Sequence, residues 1–208
     1  LVPSGHIVVH NRLKSRFHEA TWATEQFDGI DSLVFTRNLI QALEDNWPSV
    51  LKNLNTVRHK LVNRSGMLCN VSLDGANWQE FRPLLLGFLS ELPSRPADRV
   101  QWEIPVVRKA EGLTIPATVN YVAKGSTLYD LGYQLHGSIN VITNYLGTTW
   151  LWEKVRVQGG AYGGFCVFDQ RSGIWDYLSY RDPNLMETLE SYDGTGPFLN
   201  QLQLSDDE

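Results

Sequence analysis

Four residues in the second half of the chain have types and a spacing that suit the binding of a peptide bond: Arg156, Gly159, Gly160 and Tyr162. Residues 150–157 have a helical pattern, so Arg156 is expected in the last turn of a helix, and the two glycines would let the backbone turn sharply out of it. Tyr162 would then begin a strand. A guanidinium and a phenol beside a glycine turn are directed donors, suited to a peptide carbonyl or to the oxyanion formed when that carbonyl is attacked.

The same four residues also have a purely structural interpretation. Arg156 near a helix C-terminus would complement the partial negative charge of the helix dipole, and Tyr162 on a strand would pack against a neighbouring strand. Gly159 and Gly160 would then serve only to change the direction of the chain. The spacing of the four residues is compatible with both interpretations, so the choice between them stays open at this point.

Familiar catalytic motifs are absent from the sequence. The glycines between Gly159 and Gly164 match neither GxGxxG nor GxxxxGKS/T, so nucleotide binding is not expected there. No GxSxG elbow is present, and His18-Glu19, the nearest approach to an HExxH or HxxEH zinc-peptidase helix, lacks the second histidine. The chain is therefore expected to contain no complete catalytic site and no metal site of its own.

The histidines and cysteines do not suggest a metal site either. The run His6–His10 contains β-branched residues and predicts a strand; at 3.3 Å per residue its two imidazoles would stand about 13 Å apart and could not share an ion. His136 is expected to be packed or half-exposed, without a chelating partner. Cys69 and Cys166 lie in apolar, strand-like settings without CxxC spacing, which predicts two buried free thiols.

The composition is that of an ordinary soluble globular protein. Of 208 residues 42% are hydrophobic and 20% charged, and 18 basic against 23 acidic residues give a net charge of −5. Without a long basic run, nucleic acid is not an expected partner. No apolar run approaches the roughly 18 residues that a membrane span needs, and the first residues lack the ordered regions of a signal peptide.

Periodicity predicts long helices alternating with shorter strands. The predicted helices run from Asp31 to Trp47, from Pro48 to Leu61, from a cap at Asp74 to Leu92, and from a cap at Asp130 to Gly147. The predicted strands, besides His6–His10, are Met67–Leu73, Val100–Val107 and Leu113–Ala123. The polar, proline-containing segment Pro93–Arg99 is the best candidate for a linker between two domains.

Three segments carry a resemblance to a known family: EQFDGI at residues 25–30, VRVQGGAYG at residues 155–163 and SYRDPNL at residues 179–185. With the sequence around them, they resemble the C-terminal half of the presequence protease and falcilysin branch of the pitrilysin-type, or inverzincin, zinc metallopeptidases. The second and third are rare residue combinations, and the resemblance extends over nearly the whole chain.

The resemblance implies an α+β (mixed α/β) fold, in which largely antiparallel sheets are packed by helices. Members of the family have four homologous domains arranged as two halves. By this resemblance the chain is a fragment that spans two such domains. Residues 1–94 would form the end of the third domain, residues 95–112 a linker, and residues 113–208 the first, incomplete part of the fourth.

The function implied by the resemblance is that of the substrate-clamping portion of a zinc metalloendopeptidase, which degrades unfolded peptides in an enclosed chamber. Arg156 and Tyr162 match the family's substrate-binding arginine and tyrosine, with Gly159 and Gly160 as the supporting turn. Zinc would be bound outside this chain, in the N-terminal half of the same protein, so the fragment alone is expected to be inactive. A non-catalytic structural or peptide-binding subunit of the same superfamily is the alternative.

The expected partners follow from that assignment. They are unfolded peptides resembling targeting presequences and the N-terminal, zinc-bearing half of the same protein, and the fragment is also expected to associate with itself through exposed apolar surface. The expected location is intracellular and soluble: the mitochondrial matrix or a plastid in a eukaryote, or the cytoplasm in a bacterium.

Overall fold

The computed structural model describes residues 2–96, 103 and 110–203, and its contacts divide the chain into two compact units. One unit combines Leu1–Val34 with Glu103–Glu208, and the other is Phe35–Trp102. The first 34 residues thus belong with the C-terminal part of the chain. The assignment of residues 1–94, 95–112 and 113–208 to successive family domains is not tested by this division and stays a prediction.

The first unit contains a three-stranded antiparallel sheet in the order β1-β3-β2. Its strands are β1 (Ala123–Thr127), β2 (Gly163–Asp169) and β3 (Ile174–Tyr180). β2 and β3 form a hairpin in which Gly163 pairs with Tyr180 and Asp169 with Ile174. The predicted α+β class, with antiparallel pairing and packing helices, is confirmed.

Helices make up most of the remaining described structure. They are α1 (Gly5–Lys14), α2 (Glu19–Asp28), α3 (Ile30–Asp45), α4 (Trp47–Leu61), α5 (Gly75–Glu91), α6 (Ser138–Thr148), a π-helical turn (Trp152–Gln158), α7 (Met186–Asp193) and α8 (Thr195–Gln201). Short 3₁₀ turns lie at Val2–Ser4, Arg64–Gly66 and Tyr129–Leu131. No helix among the described residues is long and apolar enough to cross a membrane.

The core of the first unit lies where the π-helical turn and α7 meet the sheet. Its buried members are Val122, Leu151, Val155, Ala161 and Tyr192, with Trp150, Cys166, Tyr177 and Leu189 packed against them. The Tyr192 ring stacks on Tyr177 of β3 at 5.1 Å between ring centroids. Because Val155 and Ala161 both belong to this core, the chain between them is anchored at both ends.

The three helices predicted between Asp31 and Leu92 are confirmed. α3 begins at Ile30, one residue before the predicted start, and ends at Asp45, two residues short of Trp47. α4 follows with Pro48 in its first turn and Asn46 as its N-cap. α5 begins after Asp74, whose carboxylate accepts hydrogen bonds of 3.0 Å from the backbone N–H groups of Ala76 and Asn77. Both caps satisfy backbone donors that have no partner within the helix.

The predicted strand at His6–His10 is wrong, because this segment lies in α1. Contacts with the sheet override its β-branched composition. The His10 Nδ1 atom lies 2.6 Å from Oδ2 of Asp176, which is 1% exposed, and the His6 ring packs edge-on against Tyr180. The two histidines therefore stand one helical turn apart, contrary to the predicted 13 Å separation, and His10 is engaged by Asp176.

Three other local predictions are also wrong. Met67–Leu73 is irregular, and the Leu113–Ala123 run reaches the sheet only at Ala123, where β1 begins. The helix expected from Asp130 begins at Ser138, because Gly132, with a φ of +87°, ends a short 3₁₀ turn. Except for residue 103, the predicted strand Val100–Val107 lies outside the described residues.

The prediction of two buried thiols is only half correct. Cys69 is exposed, whereas Cys166 on β2 is largely covered, and neither forms a disulfide. Cys69 belongs to the segment that was predicted as a strand and is irregular, so no sheet covers its side chain. Burial raises the pKa of the Cys166 thiol, which keeps it protonated and unreactive.

α1 is tied to the rest of its unit by a network of ion pairs around Arg12. The guanidinium contacts Glu25 and Asp31 at 2.8 and 2.7 Å and Glu111 at 2.9 Å. Glu25 is 1% exposed and also accepts a hydrogen bond from the backbone N–H of Ile30. The hydrogen bond from Arg12 lowers the pKa of Glu111. The EQFDGI segment therefore supplies a buried carboxylate that holds α1, α2 and α3 together.

We expect the ion pair between Lys14 of α1 and Asp169 of β2 to make stability depend on pH in acid. Although burial opposes ionisation, hydrogen bonds from Lys14 and the Arg171 N–H hold the pKa of Asp169 at about 2, below its ordinary 3.8. A lowered pKa stabilises the fold above the ordinary value, and this contribution is lost as pH falls from 3.8 to about 2. Urea unfolding of Lys14→Met should show a weaker pH dependence of the unfolding free energy across that window.

Lys124→Met provides the matched control. Lys124 pairs with Asp193, but the two side chains are 46% and 65% exposed, and exposed pairs contribute little. The control should keep the wild-type pH profile. An unchanged profile in Lys14→Met would show that this pair does not contribute to acid stability.

Candidate functional site

Arg156 lies in the last turn of the π-helical segment Trp152–Gln158, as predicted for the end of a helix. Its guanidinium lies over the Trp152 indole, with Cζ 4.1 Å from the ring centroid. Stacking of this kind covers one face of the guanidinium and leaves its N–H groups free at the edge. The Arg156 side chain is exposed and forms no ion pair with any described residue.

Gly159 and Gly160 turn the chain out of this helix in a way that other residues could not follow without strain. The backbone N–H of Gly159 bonds to Lys154 O, and that of Gly160 to Arg156 O. A Cβ on Gly159 would lie 2.6 Å from the carbonyl oxygen of Val155, and Gly160 has a φ of +79°. The predicted sharp turn at this glycine pair is therefore present.

Tyr162, where the strand was predicted to begin, lies one residue before β2 and already pairs with β3. Its backbone N–H donates to Tyr180 O at 2.9 Å, and the two rings meet edge-on at 6.4 Å. The packing across the sheet that the structural interpretation predicted is thus present, yet the residue is 67% exposed. Its hydroxyl has no hydrogen-bond partner among the described residues, so the phenol is free to donate to a ligand.

The glycine turn is supported by the segment Arg181–Asn184, which follows β3. The Asn184 side-chain amide donates to the Gly159 carbonyl at 2.6 Å. Asp182, which is fully buried, accepts hydrogen bonds from the Asn184 N–H at 2.9 Å and the Thr188 hydroxyl at 2.7 Å. Its backbone also forms a bridge with Asn120. The carboxylate of Asp182 therefore positions Asn184, and Asn184 positions the turn.

Arg181 is an exposed basic side chain that lies close to Tyr162. It has a φ of +49° and is the one residue other than glycine with positive φ among the described residues. Its Cζ lies 5.6 Å from the Tyr162 ring centroid and 5.4 Å from that of Tyr180. Reasoning from the sequence did not identify Arg181, Asp182 or Asn184 as site residues, although all three belong to the SYRDPNL segment.

The side chains of Arg156 and Tyr162 thus border one glycine turn, and no hydrogen bond joins these two side chains. They lie on opposite sides of Gly159 and Gly160, and both are exposed. Together with Arg181 they offer hydrogen-bond donors and aromatic faces. Such a surface can bind an oxygen-rich ligand such as a peptide backbone or a carboxylate.

The described residues contain no cluster of candidate metal ligands. No group of three His, Cys, Asp or Glu side chains in residues 2–96, 103 and 110–203 could hold a metal ion. His136, near the start of α6, is exposed, and its ring bonds to Ser138. A zinc ion therefore does not fit the described part of this chain.

Comparison with known proteins places this geometry in a family. The family model of the presequence protease C-terminal domain matches residues 110–208, a range that contains every residue of the site. Presequence protease 1, chloroplastic/mitochondrial, of Arabidopsis thaliana is 41% identical over 202 residues, 97% of this chain. Residues 110–208 match a presequence protease C-terminal domain, and the chain as a whole is similar to presequence proteases. The sequence-based resemblance is thereby confirmed.

Other relatives are less similar to this chain but match over nearly the same span. Protein HypA of Clostridium perfringens is 30% identical over 205 residues, 99% of this chain, and the mitochondrial presequence protease of Kluyveromyces lactis is 25% identical over 205 residues, 94% of it. The chain covers 19% of the Arabidopsis protein and 21% of each of the other two. It thus spans about a fifth of the length of these relatives.

We expect Gly160→Ala to destabilise the protein by about 1–2 kcal/mol, because a left-handed backbone conformation costs an L-residue that much. The added methyl would meet only Pro183 Cγ at 3.6 Å, an ordinary contact, so the effect would report the backbone alone. Gly147→Ala in α6 is the control. Its φ is not positive and nothing lies near an added Cβ, so alanine should raise the unfolding free energy by about 0.5–1 kcal/mol.

Chemical unfolding of the two variants and the wild type would measure both differences. The two substitutions add the same methyl group to the same unit, so only the backbone conformation distinguishes them. Equal changes in the unfolding free energy of the two variants would show that the positive φ at residue 160 does not require glycine.

Proposed function

We propose that this chain is the peptide-binding portion of the C-terminal half of a metallopeptidase, in which Arg156 and Tyr162 hold the substrate. The observation that carries the proposal is a pair of exposed donors, one on either side of the glycine turn that Asn184 supports. The side chains of both donors lack hydrogen-bond and ion-pair partners among the described residues. Relatives named presequence proteases support a peptide as the ligand. Presequence-like unfolded peptides are the proposed substrates.

The geometry suits binding of a carbonyl oxygen. The guanidinium of Arg156 can only donate and the phenol of Tyr162 can donate its O–H, so one ligand oxygen could accept hydrogen bonds from both. Donors fixed before the ligand arrives are most effective when negative charge develops on that oxygen, because no reorganisation is then needed. The hydrogen bond from Asn184 to Gly159 and the stacking on Trp152 provide that rigidity.

The catalytic metal is proposed to lie outside this chain, in the N-terminal half of the same protein. Since the described residues offer no metal ligands as a group, the role proposed for this chain is binding and not bond cleavage. The same observation favours a second candidate, a non-catalytic peptide-binding subunit of the same superfamily. The presence or absence of an HxxEH helix in the N-terminal half would distinguish the two.

The setting of the full protein is proposed from its relatives. The Arabidopsis relative is named as chloroplastic/mitochondrial and the Kluyveromyces relative as mitochondrial, so an organelle is the proposed location in a eukaryotic source. Apolar side chains such as Leu68 and Leu84 are 95% and 71% exposed. Association of the isolated chain with itself or with its N-terminal half is proposed to cover such surface.

In the full-length protein, Arg156→Ala and Tyr162→Phe should each lower turnover of an unfolded peptide by roughly 10²–10³-fold, as expected for loss of a donor to a developing oxyanion. Bound zinc should remain at the wild-type ratio, since neither residue is a proposed ligand. Steady-state kinetics and metal analysis on the same preparations would measure both quantities.

Arg171→Ala serves as the control for loss of an exposed positive charge. Arg171 lies in the turn of the β2–β3 hairpin, at the opposite end from Tyr162, and should leave turnover unchanged. Wild-type turnover in both Arg156→Ala and Tyr162→Phe would refute the proposed roles. Loss of zinc in either would show that the effect is indirect.

A further inference from the structure

Arg181 has a backbone conformation that arginine adopts at a cost. With a φ of +49° it lies in the left-handed region, where glycine and asparagine are accommodated more easily. The conformation itself has a structural cause: the next residue, Asp182, must turn its side chain inward to its buried partners Asn184 and Thr188. That cause explains the φ value but not the arginine side chain.

The Arg181 guanidinium is held in place without being neutralised. It lies over the rings of Tyr162 and Tyr180, at 5.6 and 5.4 Å from their centroids. No described carboxylate lies within ion-pair distance of it, whereas Arg12, in the same unit, contacts three. An exposed, stacked guanidinium keeps its edge N–H groups available, and these match the two oxygens of a carboxylate.

We propose that Arg181 is a further substrate-binding residue of the site and that it binds a carboxylate of the peptide while Tyr162 holds the backbone. The carboxylate is either the free C-terminus of the peptide or an Asp or Glu side chain. The inference rests on the proposed function, because it requires a peptide at Tyr162. It places a second positive charge, besides that of Arg156, next to Tyr162.

Arg181 is fixed next to Tyr162, so the proposed preference for a carboxylate would apply at one place along a bound peptide. Tyr162 and Tyr180 are joined by a backbone hydrogen bond and an edge-on ring contact, and the Arg181 guanidinium lies over both rings, with Cζ 5.6 Å from the Tyr162 centroid. The buried Asp182 and its bridge to Asn120 fix the backbone on which Arg181 stands. A peptide lying along the Tyr162 surface would therefore meet a positive charge at a defined place.

The test compares the binding of three versions of one synthetic peptide to the full-length, metal-depleted protein, in which no cleavage occurs. The first version has a single Glu and an amidated C-terminus, the second has Gln in place of that Glu and the same amide, and the third has the Gln and a free C-terminal carboxylate. Fluorescence anisotropy gives Kd for each. The second version, which lacks both carboxylates, is the reference.

The wild type should bind at least one carboxylate-bearing version about tenfold more tightly than the reference, as expected for one charge-assisted hydrogen bond. Arg181→Gln should abolish this preference and leave the reference Kd unchanged, and Arg181→Lys should keep part of it. Arg171→Gln, which removes a charge at the far end of the same hairpin, should keep all of it. Preference for the first or third version alone would identify the side chain or the terminus as the source.

Arg181→Gly is the control for an effect on folding, because glycine adopts the positive φ easily and lacks the guanidinium. This variant should lose the preference without a lower thermal midpoint than the wild type. A preference that persists in both Arg181→Gln and Arg181→Gly, or its absence from the wild type, would overturn the inference. If the Arg181 test fails in this way but Arg156→Ala and Tyr162→Phe lower turnover, only the role of Arg181 is refuted. If those two variants also keep wild-type turnover, the proposed function is refuted as well.

Discussion

The buried carboxylate of Asp182 is the constraint on which the rest of the site depends. Burying a charge is costly unless its hydrogen bonds are satisfied, and here the Asn184 N–H and the Thr188 hydroxyl satisfy it at full burial. Asn184, placed by Asp182, bonds to the carbonyl of Gly159, and the residue before Asp182 is forced into the left-handed region. One buried group thus fixes both the glycine turn and Arg181.

Tyr162 is held in place by contacts with the sheet. Tyr180 at the end of β3 accepts the Tyr162 N–H, and its ring contacts Tyr162 on one side and His6 of α1 on another. α1 is in turn tied to β3 by the bond between His10 and the buried Asp176. The N-terminal helix, far away in sequence, is therefore part of the support of the site, which accounts for its membership of the same compact unit.

What the sequence predicted correctly depended on short-range signals. The cap at Asp74 and the turn at Gly159 and Gly160 are determined by residues within a few positions of each other, so their types alone reveal them. The helix at His6–His10 was mispredicted because its partner, Asp176, lies 166 residues away. Arg181 was missed because nothing in an arginine or its spacing predicts a positive φ or a position over the two tyrosine rings, and only the rarity of SYRDPNL pointed to the segment.

The two interpretations of Arg156 and Tyr162 that the sequence left open are not exclusive. Tyr162 packs against Tyr180 and still exposes its phenol, while Arg156 stacks on Trp152 and its side-chain N–H groups bond to no described residue. Packing of the ring or of one guanidinium face restrains a side chain without consuming its polar groups, which lowers the entropy lost when a ligand binds. Structural packing is therefore what would make these donors effective. A surface so arranged offers donors that are restrained before a ligand arrives, which is what the proposed binding of a peptide would require.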